Sequence, residues 1–167
     1  MRPIPPWLRL LAALLPLLAS PPAPAAPPDD AAALRGVTEG KGIFLIDFND
    51  PRKTAFYLSI IKETHGGMLR QGVRPDLIIV YIGPTVRFLT SKPDSALELD
   101  HQDSLESIAM LVKELADLGV RHEVCAIATR VLRIDDNTLL PGLNLVADGF
   151  ISLIGYQTQG YRLVPLF

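Results

Sequence analysis

The chain is 167 residues long, 49% apolar, with one cysteine and a formal charge of −2. That length admits one domain with a full core but not two. The acidic balance excludes a nucleic-acid-binding surface, which would show clustered Lys and Arg, and a single thiol excludes an internal disulfide.

Residues 1–25 read as a cleavable export signal. Arg2 gives a positive start, residues 10–19 are almost wholly Leu and Ala, and Ala23-Pro24-Ala25 offers a small-residue cleavage site with Ala26 following. The apolar run is too short for a bilayer, which takes about 20 apolar residues. The expectation is therefore a periplasmic protein with no stable membrane insertion after cleavage. Loss of Arg2 and Arg9 with the leader leaves 14 basic against 18 acidic residues, a mature charge of −4. The Pro/Ala-rich composition that follows suggests a disordered lead-in over 26–40, with 41–167 as the domain.

Residues 43–48 (Ile-Phe-Leu-Ile-Asp-Phe) are a continuous apolar run, as expected of a strand buried on both faces. Asn49 or Asp50 ahead of Pro51 is a helix start. That helix is expected to turn Phe56, Tyr57, Ile60 and Ile61 inward and to stop at Gly66-Gly67. His65 then falls at its end, where a cation suits the macrodipole. Residues 77–82 give a second strand, ended by Gly83-Pro84. Asp103 or Ser104 caps the next helix, whose Leu105, Ile108, Val112 and Leu115 share one face and which Gly119 closes. The third strand, 123–127, contains Cys125. A weakly periodic piece leads to a fourth strand at 143–147, Asp148 caps a helix over 149–158, and 161–165 makes a last strand. This alternation predicts an α/β three-layer sandwich: a five-stranded, mostly parallel sheet with helices on both faces, flavodoxin-like in outline.

In such a sheet, ligand sites gather at the carboxyl ends of the strands. Three segments fall there: Asn49-Asp50, Gly83-Pro84-Thr85 and the residues after Cys125. Cys125 is the candidate catalytic residue. A thiol reacts as its anion, which a helix N-terminus or nearby cations favour; Arg130 and Arg133 are the candidate stabilisers. The competing reading makes Cys125 a small buried hydrophobe. His122 leaves a regular strand on the opposite face and is not a partner for the thiol. Glu98, Asp100, His101 and Asp103 form a polar cluster matching no ligand spacing, as suits a solvated loop ahead of a helix, so no metal is expected. The turn Asp47-Phe48-Asn49-Asp50-Pro51 has no glycine to let backbone amides approach a phosphate, so no nucleotide cofactor is expected.

Four segments together resemble the DsrE/DsrF-like family, and within it the exported single-domain branch. They are Val80-Tyr81-Ile82-Gly83-Pro84, Gly119-Val120-Arg121-His122-Glu123-Val124-Cys125, Leu140-Pro141-Gly142 and Gln157-Thr158-Gln159-Gly160-Tyr161. The resemblance implies a homo-oligomer, trimeric or hexameric, and a role in sulfur relay. On that reading Cys125 takes up sulfane sulfur as a persulfide and exchanges it with donor and acceptor proteins. The alternative from a different class is a non-catalytic oligomeric binding or scaffold domain with a structural cysteine.

Overall fold

The computed structural model describes residues 28–166; the expected leader, 1–25, lies outside them. Five strands, β1 (Glu39–Ile46), β2 (Arg74–Tyr81), β3 (Arg121–Cys125), β4 (Leu143–Val146) and β5 (Arg162–Val164), form one parallel sheet in the order β4-β3-β2-β1-β5. From β1 to β4 the chain steps steadily one way, through α1 (Pro51–Arg70), α2 (Ser95–Asp117) and the single-turn α3 (Ala126–Val131). Then α4 (Gly149–Thr158) carries it back across the sheet to the far side of β1. Crossovers share one hand, so reversing the direction of travel moves the connecting helix to the other face. The packing agrees. A Cβ on Gly40 would strike Met68 of α1, whereas Gly149 of α4 sits against Val80, Ile82 and Cys125. Central β2 is buried from Leu77 to Tyr81, while the edge strands β4 and β5 are largely open to solvent.

Several elements depart from the sequence-based expectation. The segment expected to be disordered over 26–40 is ordered in its second half. Gln71 Oε1 accepts from the Asp30 amide (2.7 Å), Gln71 Nε2 donates to Asp30 Oδ2 (2.9 Å), and residues 31–36 form turns leading to β1 at Glu39. Helix α1 runs straight through Gly66-Gly67 to Arg70 and ends only where Gly72 takes φ +77°. Two helical glycines cost about 1 kcal/mol each relative to alanine, which the burial of Ile61 and His65 along the same helix offsets. The inward stripe is Pro51, Thr54, Leu58, Ile61 and His65; Phe56 and Ile60 face solvent instead, and His65 is buried rather than terminal. Helix α2 starts at Ser95, capped by Asp94, and kinks at His101 (φ −141°, ψ 25°), so the expected start at Asp103 or Ser104 marks its second limb. Strand β3 stops at Cys125, with Ala126 and Ile127 already helical.

Beneath α1 and α2, Tyr81 Oη and His122 Nδ1 share a hydrogen bond of 2.8 Å, and both residues are fully buried. Among the described residues, His122 Nε2 has no hydrogen-bond partner. Burial disfavours the imidazolium and pulls His122 from 6.5 down to about 4. The folded protein therefore keeps His122 neutral, while the unfolded chain takes up a proton below pH 6.5. Stability contributed by this site is present above pH 6.5 and lost as pH falls toward 4. The gap is worth at most roughly 3 kcal/mol. Urea midpoints measured from pH 7 to 4.5 should fall more steeply for the wild type than for His122→Asn. Equal slopes would place the acid sensitivity elsewhere.

Candidate functional site

Register decides which side chains meet. Ile78 pairs with Arg121, Val80 with Glu123, and Glu123 with Asn144, so Arg121, Glu123 and Cys125 leave the sheet on the α4 face. Cys125 ends β3 and forms the N-terminal boundary of α3, with an extended backbone (φ −74°, ψ 116°) and no capping bond from its thiol. It is 4% exposed. Cys125 is among the residues lining a cleft of about 420 Å³ at the carboxyl edge of the sheet. Ile82, Gly83 and Pro84 line it from the end of β2, and Ile127, Ala128, Val131 and Leu132 from α3. Phe150 of α4 and Asp47 from the end of β1 complete the wall.

Two glycines make this cleft possible. Gly83 has φ +53°, a left-handed conformation that side chains rarely adopt, and an added Cβ would stand 2.0 Å from Asp47 Oδ1. Gly149 begins α4, and a Cβ there would lie 2.8 Å from Ile82 Cγ2 and 3.2 Å from both Cys125 Cβ and Val80 Cγ1. The helix can approach the cysteine only because that position lacks a side chain. Below, the buried Thr85 hydroxyl accepts from the Phe48 amide (2.6 Å) and donates to the Phe48 carbonyl (2.9 Å). This pair of bonds fixes the end of β1, and with it Asp47, against the 3-10 turn Gly83–Phe88.

The residues singled out in the sequence distribute unevenly around this edge. Gly83 and Pro84 line the cleft with Cys125, but Asp50 is spent on capping α1, accepting from the amides of Arg52 (2.8 Å) and Lys53 (3.3 Å). Asn49 lines a separate polar depression with Arg87 and His101. Arg130 and Arg133 are both exposed, Arg133 in a left-handed conformation (φ 58°), and neither lines the cleft. His122 faces α1 and α2, as strand alternation requires. Among the described residues, Glu98, Asp100, His101 and Asp103 do not converge into a metal-binding group.

Sequence reasoning missed the polar clasp at the opposite end of the same face. Arg121 Nη2 donates to Asp76 Oδ1 (2.9 Å) and to Tyr161 Oη, and Tyr161 Oη donates to Asp76 Oδ2 (2.6 Å). Burial works to raise the Asp76 carboxyl, but the bonds from Tyr161 and Arg121 outweigh it and hold the group below its usual range. Tyr156 of α4 donates to Glu123 Oε1 (2.6 Å), a bond that raises the Tyr156 phenol, while Glu123 Oε2 is buried without a partner among the described residues. The strand parity that joins Arg121, Glu123 and Cys125 was the available signal. Asp47 was missed too, because it was read only as part of the first strand and the turn that follows it.

A five-stranded, all-parallel sheet with helices on both faces makes this an α/β domain. The DsrE/DsrF-like family model matches residues 41–166, and the chain belongs to that family. Among solved structures it is similar to a protein of unknown function, MTH1491, from Methanobacterium thermoautotrophicum, at TM-score 0.60 and 20% identity, covering 76% of this chain and 99% of that one. It is also similar to the ychN protein from E. coli, at TM-score 0.55 and 13% identity, with the same 76% and 99% coverage. No curated protein matches the chain. At these identities the two structures establish the fold.

The packing around α4 gives a paired prediction. Gly149→Ala should lower stability by roughly 1–3 kcal/mol through overpacking. Gly155→Ala, where nothing lies within 4 Å of the new methyl, should raise it by up to about 1 kcal/mol. Denaturant titrations of the two variants check this, and a stable Gly149→Ala would show that α4 does not press on Cys125.

Proposed function

We propose that this protein is a sulfur carrier of the DsrE/DsrF-like family, with Cys125 as the acceptor. The single observation that carries the reading is the placement of the lone cysteine, buried at 4% exposure, at the carboxyl edge of the sheet, where it lines a cleft. The thiolate attacks a sulfane sulfur bonded to a leaving group. A new S–S bond forms, the electron pair of the old bond departs with the leaving group, and Cys125–S–S⁻ remains. An acceptor thiolate then attacks the outer sulfur and releases the Cys125 thiolate. Arg130 and Arg133 are assigned no role at the sulfur in this reading.

The leader-like residues 1–25 support export to the periplasm, and among the described residues no helix is long and apolar enough to cross a membrane. Self-association belongs to the same reading. Phe150, Ile151 and Ile154 stand more than half exposed on α4, which carries no charged residue. Sedimentation at micromolar concentration should give an oligomer, trimer or hexamer, that Ile154→Glu dissociates; a monomeric wild type would remove this part of the proposal.

The 4% exposure of Cys125 favours a second reading, a scaffold domain with a structural cysteine. One experiment separates the two. After incubation with excess polysulfide or a dialkyl trisulfide, intact-mass analysis should show sulfur added to the wild type and none to Cys125→Ala. If neither protein gains sulfur and a small alkylating reagent leaves the native thiol unlabelled, the scaffold reading stands.

A further inference from the structure

The walls of the Cys125 cleft are nearly all hydrocarbon. Ile82, Pro84, Ile127, Val131, Leu132 and Phe150 supply most of the surface. Among the described residues lining it, Asp47 is the charged side chain, and no Lys, Arg or His joins it. Its position is built into the fold. The Thr85–Phe48 hydrogen bonds hold the next residue in place, and the missing side chain of Gly83 leaves the space that the carboxylate fills. A small anion such as thiosulfate entering this cleft would leave water for apolar walls, meet a like charge, and find no cation to compensate. An uncharged apolar molecule would bury surface at no electrostatic cost.

We infer that the cleft selects uncharged, apolar sulfane-sulfur donors, such as diorganic trisulfides, and that Asp47 is the specificity-determining residue that holds anionic donors off. This inference rests on the carrier reading of Cys125. For a trisulfide R–S–S–S–R, the Cys125 thiolate attacks the central sulfur. The S–S bond beside it breaks, R–S⁻ leaves with the electron pair, and the sulfane sulfur stays on the protein as Cys125–S–S–S–R. A second thiolate, R′–S⁻, attacks the R-bearing sulfur, releasing R–S–S–R′ and leaving Cys125–S–S⁻.

The test uses two aromatic disulfides that differ in charge: neutral 4,4′-dithiodipyridine and the dianionic 5,5′-dithiobis(2-nitrobenzoate). Second-order rates with native protein are normalised to those of mercaptoethanol, a neutral reference thiol. The neutral-over-anionic preference of Cys125 should exceed that of mercaptoethanol by about tenfold at low salt, the size expected for like charges several ångströms apart at a protein surface. It should shrink toward the reference in 0.5 M salt, an ionic strength at which roughly 4–5 Å of solution screens a charge, and in Asp47→Asn. The salt series needs no substitution, so it decides the matter even if that variant fails to fold. Reaction with both probes at the reference ratio overturns the inference and leaves the carrier reading standing. A large preference that neither salt nor Asp47→Asn reduces overturns the role of Asp47, the exclusion then being steric. Reaction with neither probe overturns the inference together with the carrier reading.

Discussion

Successive side chains of a strand leave the sheet on opposite sides, and along the five residues of β3 that alternation separates two chemistries. Arg121, Glu123 and Cys125 go to the face covered by α4. His122 and Val124 go to the face covered by α1 and α2. No local rearrangement of β3 could bring the imidazole to the thiol, because moving the register by one residue would exchange every side chain between the faces. The histidine is therefore free to be buried, neutral and bonded to Tyr81. The thiol is left at the carboxyl edge, between the short α3 and the first residues of α4.

The α4 face is organised along its length by polarity. At the amino edge, Arg121, Asp76 and Tyr161 form a closed ion-pair and hydrogen-bond clasp, and Tyr156 reaches Glu123 from the far end of α4. These contacts tie the last helix and strand to β2 and β3, elements distant in sequence. At the carboxyl edge the same helix touches the sheet through Gly149 and offers no charged group. The result is a helix anchored by polar bonds at one end and packed by van der Waals contact at the other, with Cys125 beneath the second. Each exposed ion pair contributes little by itself, but the partly buried Asp76–Arg121 pair also receives the tyrosine hydroxyl and constrains geometry more than stability.

Much of the architecture was legible because it depends on local signals. Asp50-Pro51 and Asp148 cap helices where their short polar side chains require it. The unbroken apolar run of β2 marks a strand covered on both sides. The misreadings arose where tertiary contact outweighed local preference. Gly66-Gly67 looked like a helix end, yet α1 continued to Arg70, and Met68 in that last turn packs against β1 at Gly40. Phe56 and Ile60 looked like core, yet the stripe that meets the sheet is offset toward Thr54, Leu58 and Ile61. The kink at His101 merged a segment read as loop into α2. Of the site, the cysteine and its edge of the sheet could be read from sequence. The partners proposed for it, Arg130 and Arg133, are close in sequence but turned away in space.

The order of strands and helices, and which side of β3 each residue occupies, followed from the sequence by itself, since both arise from periodicity over a few neighbouring residues. The surroundings of Cys125 were decided only by the tertiary structure. Asp47, Gly83, Val131 and Phe150 come from four separate stretches of chain, and they meet because the last crossover returns across the sheet and lays α4 on the open face. Electrostatic and steric interactions act through distance in space. A residue more than seventy positions away, such as Asp47, therefore lines the same cleft as Cys125, while a cation five positions away does not.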